Sequence, residues 1–182
     1  MEIAIRPALP EHFAALRAIE LAAFETLRDA GAVAGQACAA SLADFNDFSR
    51  DGLLLAAFTS DAVPVGFVAG RFEGRWLHIA EIDVHPDWQR HGAGRLLMQA
   101  AIFTGQQRGL VGATLTTDNL AAFNARFYAT LGFEIVEGHS RPPHLVSLNR
   151  EEIAQGFNPA RRVTMLKSWQ DFICTSSSRI PS

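Results

Sequence analysis

The chain is expected to fold as an α/β protein (α+β in layer terms), and three observations point there. Short runs in which apolar and polar residues alternate mark half-buried strands, and longer stretches between them keep the helical period. Three of the strand-like runs in mid-chain follow one another through links too short for anything but antiparallel neighbours. A glycine-bearing loop between a strand and a helix comes only after them, whereas a doubly wound dinucleotide fold would open with its βαβ unit.

The elements follow in order. Ile3 and Ile5 alternate in a first strand over 1–6, closed by Pro7. From Pro10, the spacing of Phe13, Leu16, Ile19, Ala23 and Leu27 predicts a helix that stops at Gly31. Residues 31–40 are almost all small, as a loop or a roomy substrate wall would be. Ser41 can cap a second helix with Leu42, Phe45 and Phe48 on one side and Gly52 at its end. Strands are expected at 53–59, 65–72 and 76–84, the first two joined by a turn at Ser60-Asp61. After the glycine loop comes a helix marked by Leu96, Leu97, Ala100, Ala101 and Phe103. A strand at 111–117 then leads to a helix capped by Asp118 and ended at Leu131 by Gly132. A strand at 133–137, a helix over 143–156 built on Leu145, Leu148 and Ile153, and a last strand at 162–169 complete the reading. Nothing divides the chain, so residues 1–173 are read as one domain and 174–182 as a frayed Ser-rich tail.

The 182 residues, 48% hydrophobic and 19% charged, suffice for a sizeable core. A net charge of −3 gives no field for a polyanion, so no nucleic acid is expected as a partner. No apolar run reaches membrane-spanning length and no signal-peptide pattern opens the chain. Cys38 and Cys174 stand in no metal spacing and are too few for a disulfide framework, which leads to an expected cytoplasmic location and no metal.

The stretch A-E-I-D-V-H-P-D-W-Q-R-H-G-A-G-R-L-L-M, residues 80–98, organises the function. Ile79, Ile82 and Val84 alternate with Glu81 and Asp83 in a strand that Pro86 ends. Gly92 and Gly94 then lead into the helix, whose first amides lack internal partners and whose dipole, with Arg90 and Arg95 nearby, suits a phosphate. A P-loop is excluded because Arg95 and Leu96 follow Gly94, and a dinucleotide fingerprint because Leu97 stands where its third glycine belongs.

Gln89-Arg90-His91-Gly92-Ala93-Gly94 resembles the Q/R-x-x-G-x-G/A signature of the GCN5-related N-acetyltransferases, with V-H-P before it and R-L-L-M after it. A second match is Tyr128 followed four residues later by Gly132-Phe133, the superfamily's usual ending. The common asparagine, seven residues before the tyrosine, is Ala121 here. Asn124, four before it, fits a variant of the form N-A-P-F-Y. The resemblance implies a mixed, mostly antiparallel sheet of about seven strands with helices on both faces, in the order β-α-α-β-β-β-α-β-α-(α)-β.

It also implies acetyl-coenzyme A as co-substrate, held by Ile82, Asp83, Val84, Gln89, Arg90, His91, Gly92, Ala93, Gly94, Arg95, Asn124 and Tyr128. The expected activity is acetyl transfer to a primary amine of a small molecule, or to a protein N-terminus or lysine, by direct attack in a ternary complex. An ammonium with a pKa near 10 must lose a proton first. Glu81 is the leading base, with Asp83 or water as rivals, and Tyr128 is the acid for the leaving thiolate. By simple alternation His78 lies on the opposite strand face from Glu81 and is structural. His85 and His91 are read as surface residues, and His139 and His144 border the acceptor region. The rival readings are a coenzyme A-binding sensor without catalysis and a nucleotide-binding regulatory domain. Homodimers are common in the superfamily, but no interface is readable.

Overall fold

The computed structural model describes residues 2–29, 39–118, 124–137, 141–154 and 161–169. In chain order the elements are β1 (Ala4–Pro7), α1 (Phe13–Asp29), α2 (Leu42–Asp51), β2 (Leu53–Phe58), β3 (Pro64–Glu73), β4 (Trp76–Val84), α3 (Ala93–Gln107), β5 (Gly112–Asp118), α4 (Asn124–Ala129), β6 (Glu134–Ile135), α5 (Pro143–Ala154) and β7 (Arg162–Ser168). Short 3₁₀ turns at Pro10–His12 and Pro86–Trp88 precede α1 and α3. The seven strands form one sheet in the order β1-β2-β3-β4-β5-β7-β6. All neighbours are antiparallel except β4 and β5, which run parallel.

Helices cover both faces of the sheet. On one face α3 buries Leu97, Met98 and Ala101 against Val68, Leu77, Ile79, Leu115 and Met165. On the other, Leu16 and Ile19 of α1 and Phe45 and Phe48 of α2 pack on Leu54, Ala56, Phe67 and Ala69. The helical spacings explain this: residues three and four apart share a face, and those faces are the apolar ones. Ser41 caps α2 as expected, accepting from the Asp44 amide at 3.2 Å.

Several expectations are corrected. Leu42 is 53% exposed, and in α3 Leu96 and Phe103 are 39% and 60% exposed, so the buried stripe runs through Leu97, Met98 and Ala101 instead. The strand expected at 133–137 makes ladder pairs only at Glu134–Ile135. Asp118 is the last residue of β5, and its carboxylate pairs with Arg161 at 2.8 Å. The start of the helix it was expected to cap, 119–123, lies outside the described residues, as do Gly31, Cys38, His139, Cys174 and the expected tail. Gly132 does end the helical segment: its φ of +84 is one that glycine adopts without strain.

One irregularity decides how β4 presents its side chains. Ile79 pairs with Gly70, but the next pair is Glu81 with Ala69, leaving Ala80 as an extra residue in a β-bulge. The bulge resets the alternation. His78 pairs with Arg71, whose guanidinium lies over Phe48 of α2, and Glu81 pairs with Ala69, which packs in the α1–α2 core. His78 and Glu81 therefore share a face, contrary to the simple count. No helix among the described residues is long and apolar enough to cross a membrane.

Candidate active site

The parallel ladder between β4 and β5 runs from Trp76–Gly112 to Ile79–Leu115 and stops. Beyond that rung β4 stays with β3 as far as Val84, while β5 stays with β7 as far as Asp118. The two central strands part, and a cleft opens between residues 80–84 and 116–118.

At one end of β4, the loop into α3 supplies donors. His85 Nδ1 accepts from the Asp87 amide at 3.3 Å, and the 3₁₀ turn uses the Trp88 and Gln89 amides. Among the described residues, the consecutive amides from Arg90 to Arg95 donate to no carbonyl or side chain. Arg90 and Gly92 lie in the left-handed region, with φ of +62 and +88, which turns the chain sharply into the helix. Space for a side chain at Gly94 is bounded at 3.7 Å by Phe127 of α4 and a Val84 methyl, so strand end, helix start and α4 converge here.

The side chains of this loop mostly hold it in shape. Gln89 donates from its amide nitrogen to the Val84 carbonyl at 3.1 Å, tying the loop to the strand end. His91 Nδ1 lies 2.8 Å from the Gln89 carbonyl. Arg95 donates to Thr130 Oγ1 at 2.8 Å and so is directed at the end of α4. Ala93 is buried, and Ile82 and Val84 pack toward the α3 core. The groups these residues offer to a ligand are their backbone amides and carbonyls. A shallow groove of about 330 Å³, lined in part by Arg95, Gln99, Phe103 and Lys167, includes none of Glu81, Asp83 and Tyr128.

Tyr128 stands half-buried on α4 and packs against the α3-side cluster. Its ring meets Phe127 and Phe133 edge-on, with centroids 5.2 and 6.1 Å away. Its carbonyl accepts from the Leu131 and Phe133 amides, which fixes the helix end that carries it. Burial raises the phenol's proton affinity, and the charges of Glu81 and Asp83 raise it further, while Arg162 opposes.

Glu81 is exposed at the cleft and Asp83 half-buried. Solvent reaches Glu81 through the opening, but protein surrounds it elsewhere at the middle of the sheet. Desolvation, then the charge of Glu20, pushes its carboxyl up to about 7, against the pull of Arg162. Asp83 is raised well above the carboxylate range by desolvation, by the charges of Glu81 and Glu20, and by a hydrogen bond with Glu81. A carboxyl–carboxylate hydrogen bond requires one proton between the two, so the pair titrates as a unit.

Below the fork lies a second polar group. Thr114 Oγ1 is 3.2 Å from His78 Nδ1 and 3.1 Å from Nε2 of His144 on α5. A hydroxyl donates once and accepts twice, so at most one imidazole accepts the Thr114 proton and at least one donates to its oxygen. Burial lowers the His144 pKa, which keeps that ring neutral near pH 7. The Thr114–His78 pair is the rung just before the last one joining β4 to β5, so this clasp stands where the cleft begins.

The structure brings Glu81, Asp83 and Tyr128 together with the loop; the Asn124 side chain lies outside the described residues. Glu20, Thr114 and Arg162 were missed. Glu20 had a signal, being a single acid in the apolar run Ala18-Ile19-Glu20-Leu21-Ala22-Ala23. Arg162, which donates to Thr116 Oγ1 at 3.0 Å, had none. Among the described residues no cluster could hold a metal ion.

A seven-stranded sheet that parts at its middle strands, beside a run of unpaired amides at a helix start, defines an acyltransferase-type coenzyme cleft. Residues 14–133 match the Acetyltransferase (GNAT) family, and the chain belongs to that family. Its fold is similar to that of the PaiA N-acetyltransferase from Thermoplasma acidophilum in complex with coenzyme A (TM-score 0.71, 14% identity, 93% of this chain and 100% of that one). It is also similar to a GCN5-related N-acetyltransferase from Rhodopseudomonas palustris (TM-score 0.66, 28% identity, 91% and 94% covered). A third similar structure is the ribosomal-protein-S18-alanine N-acetyltransferase from Escherichia coli (TM-score 0.66, 19% identity, 92% and 94% covered).

Proposed function

We propose that this protein transfers an acetyl group from acetyl-coenzyme A to a primary amine, most simply that of a small molecule. The observation that carries the reading is the parting of β4 from β5 after Ile79–Leu115, with the Arg90–Arg95 amides unpaired at the end of β4. The charge of Glu81 bearing on the Tyr128 phenol supports it. Those amides fit a diphosphate: they are donors without partners at the positive end of a helix dipole. The edge of β4 past Ile79 offers backbone groups to an extended pantetheine arm, as a sheet edge does to an added strand. When bound, the thioester supplies the activated acyl carbon.

The chain's own residues do the rest. Glu81, with a proton affinity raised into the neutral range, takes the proton of the attacking ammonium directly or through water. Asp83 shares that proton and remains the rival base. Tyr128 stays protonated throughout the working range and offers its hydroxyl to the sulfur as the thiolate leaves. Because its phenol is a weaker acid here than the leaving thiol, its role is a hydrogen bond that stabilises the developing charge on sulfur. The proton that the thiolate takes up is the one the attacking nitrogen loses as the amide forms.

Residues 1–173 act as one catalytic domain on this reading, with no nucleic acid or membrane as partner. The test is a thiol-release assay of the purified protein against a panel of small amines and N-terminal peptides, beside calorimetry with coenzyme A. Turnover of at least one amine with coenzyme binding is expected. Absence of coenzyme binding at millimolar concentration would end the proposal, and binding without any turnover would favour a sensor.

A further inference from the structure

Glu20 follows Ile19, which α1 buries against Phe67 and Ala69 of β3. Those two residues are the register partners of Asp83 and Glu81. Both Glu20 carboxylate oxygens accept from the Ala40 amide at 3.1 Å. Ala40 immediately precedes the cap of α2, and it packs on the same core as Ala80, the bulged neighbour of Glu81. A carboxylate thus stands where the chain returns over the sheet beside the site.

We propose that Glu20 is a positioning residue for the transfer reaction: its oxygens pin the return into α2, and its charge sets the field in which Glu81 works. The proposal deepens the transfer reading and rests on it. Several charged groups face this centre. Glu81 meets Glu20 from α1, Asp83 on its own strand, Arg162 from β7 and Tyr128 from α4. Glu20 itself is raised by desolvation and by Asp44 of α2, and lowered by the Ala40 amide and Arg17 of its own helix. Arg162 on β7 offsets part of the negative field, and Glu20 on α1 adds to it. Removing the Glu20 charge therefore makes Glu81 easier to ionise.

Two variants separate the two parts. In Glu20→Gln the side-chain carbonyl still accepts from Ala40, but the charge is gone. The acid limb of the kcat profile should move to lower pH, so that the rate at pH 6 relative to pH 8 rises about threefold. The acceptor KM should hold. In Glu20→Ala the limb should move likewise, but the acceptor KM should also rise and exchange of the Ala40 amide should accelerate about tenfold or more. Calorimetric affinity for coenzyme A should be the same in all three proteins. A Glu20→Gln profile that superimposes on the wild-type one overturns the role of the charge. Unchanged Ala40 exchange and acceptor KM in Glu20→Ala overturn the tether. A wild-type protein that releases no thiol would sink the transfer reading itself, which is a different result from either.

Discussion

On the α3 side of the sheet, Leu77, Ile79, Leu97, Met98, Leu115 and Met165 close into an apolar layer. On the opposite side the layer under α1 and α2 ends near Ala80, and His78, Glu81, Asp83, Thr114 and Thr164 take over. The same strands serve both faces, since their side chains alternate. The apolar face is close-packed and so fixes where the strands lie. On the polar face Glu81 and Asp83 open on the cleft and His78 and Thr114 partner each other, while among the described residues the Thr164 hydroxyl is buried without a partner. The carboxylates stand on the α1–α2 side of the sheet, whereas Tyr128 and the loop amides reach the cleft from the α3 side.

The comparison can be broken most directly at the cleft. Tyr128→Phe removes the hydroxyl while keeping the ring between Phe127 and Phe133. It should lower kcat by about 10²–10⁴-fold with coenzyme affinity unchanged. A kcat within a factor of two of wild type, measured by thiol release, would leave the phenol a packing group. Next in size is a pair of core changes, one per face. Leu97→Ala should cost about 2–5 kcal/mol of stability by denaturant titration. Thr114→Val, which leaves the His78 and His144 nitrogens without their shared hydroxyl, should cost about 1–3 kcal/mol. Equal losses would mean that the two faces are not built differently.

The smallest effect sharpens the electrostatic side of the comparison. The folded pKa of Glu81, near 7, exceeds its usual value of 4.5, so the folded state holds this proton more tightly than the unfolded chain. Ionised Glu81 thus weakens the fold, by an amount that is absent below pH 4.5, grows between 4.5 and 7 and is complete above 7. Glu81→Gln should raise Tm at pH 8 and leave it unchanged near pH 4, while abolishing the acid limb of the rate profile. A Tm gain independent of pH would show that the charge is not the cause.

Much of this was legible in the sequence, and for physical reasons. The limits of β4 followed from its alternation and from Pro86, the capping of α2 from Ser41, and the loop from glycines followed by an apolar-periodic helix. Side-chain direction was less legible. Leu96 and Phe103 fit an apolar pattern but lie outside the arc that α3 turns to the sheet, because several registers of a short helix satisfy the same spacing. Asp118 has the chemistry of a cap, yet its partner Arg161 stands just before β7, more than forty residues away, and no local rule finds such a partner. The facing of His78 failed through one residue, Ala80, since a bulge leaves no mark on an alternating run of six or eight positions.

That extra alanine bears on the course of β4. Moving outward from the bulge, Glu81 and Asp83 occupy odd steps in one direction, and His78 an even step in the other. Without Ala80 the pairs Ile79–Gly70 and Glu81–Ala69 would be consecutive. An ordinary ladder would then keep His78, Glu81 and Asp83 on one face and lose only the bend and added twist that the bulge gives β4. The extra residue falls immediately after the last rung that joins β4 to β5, so what it supplies is a bend in the strand where the cleft begins, not the choice of face.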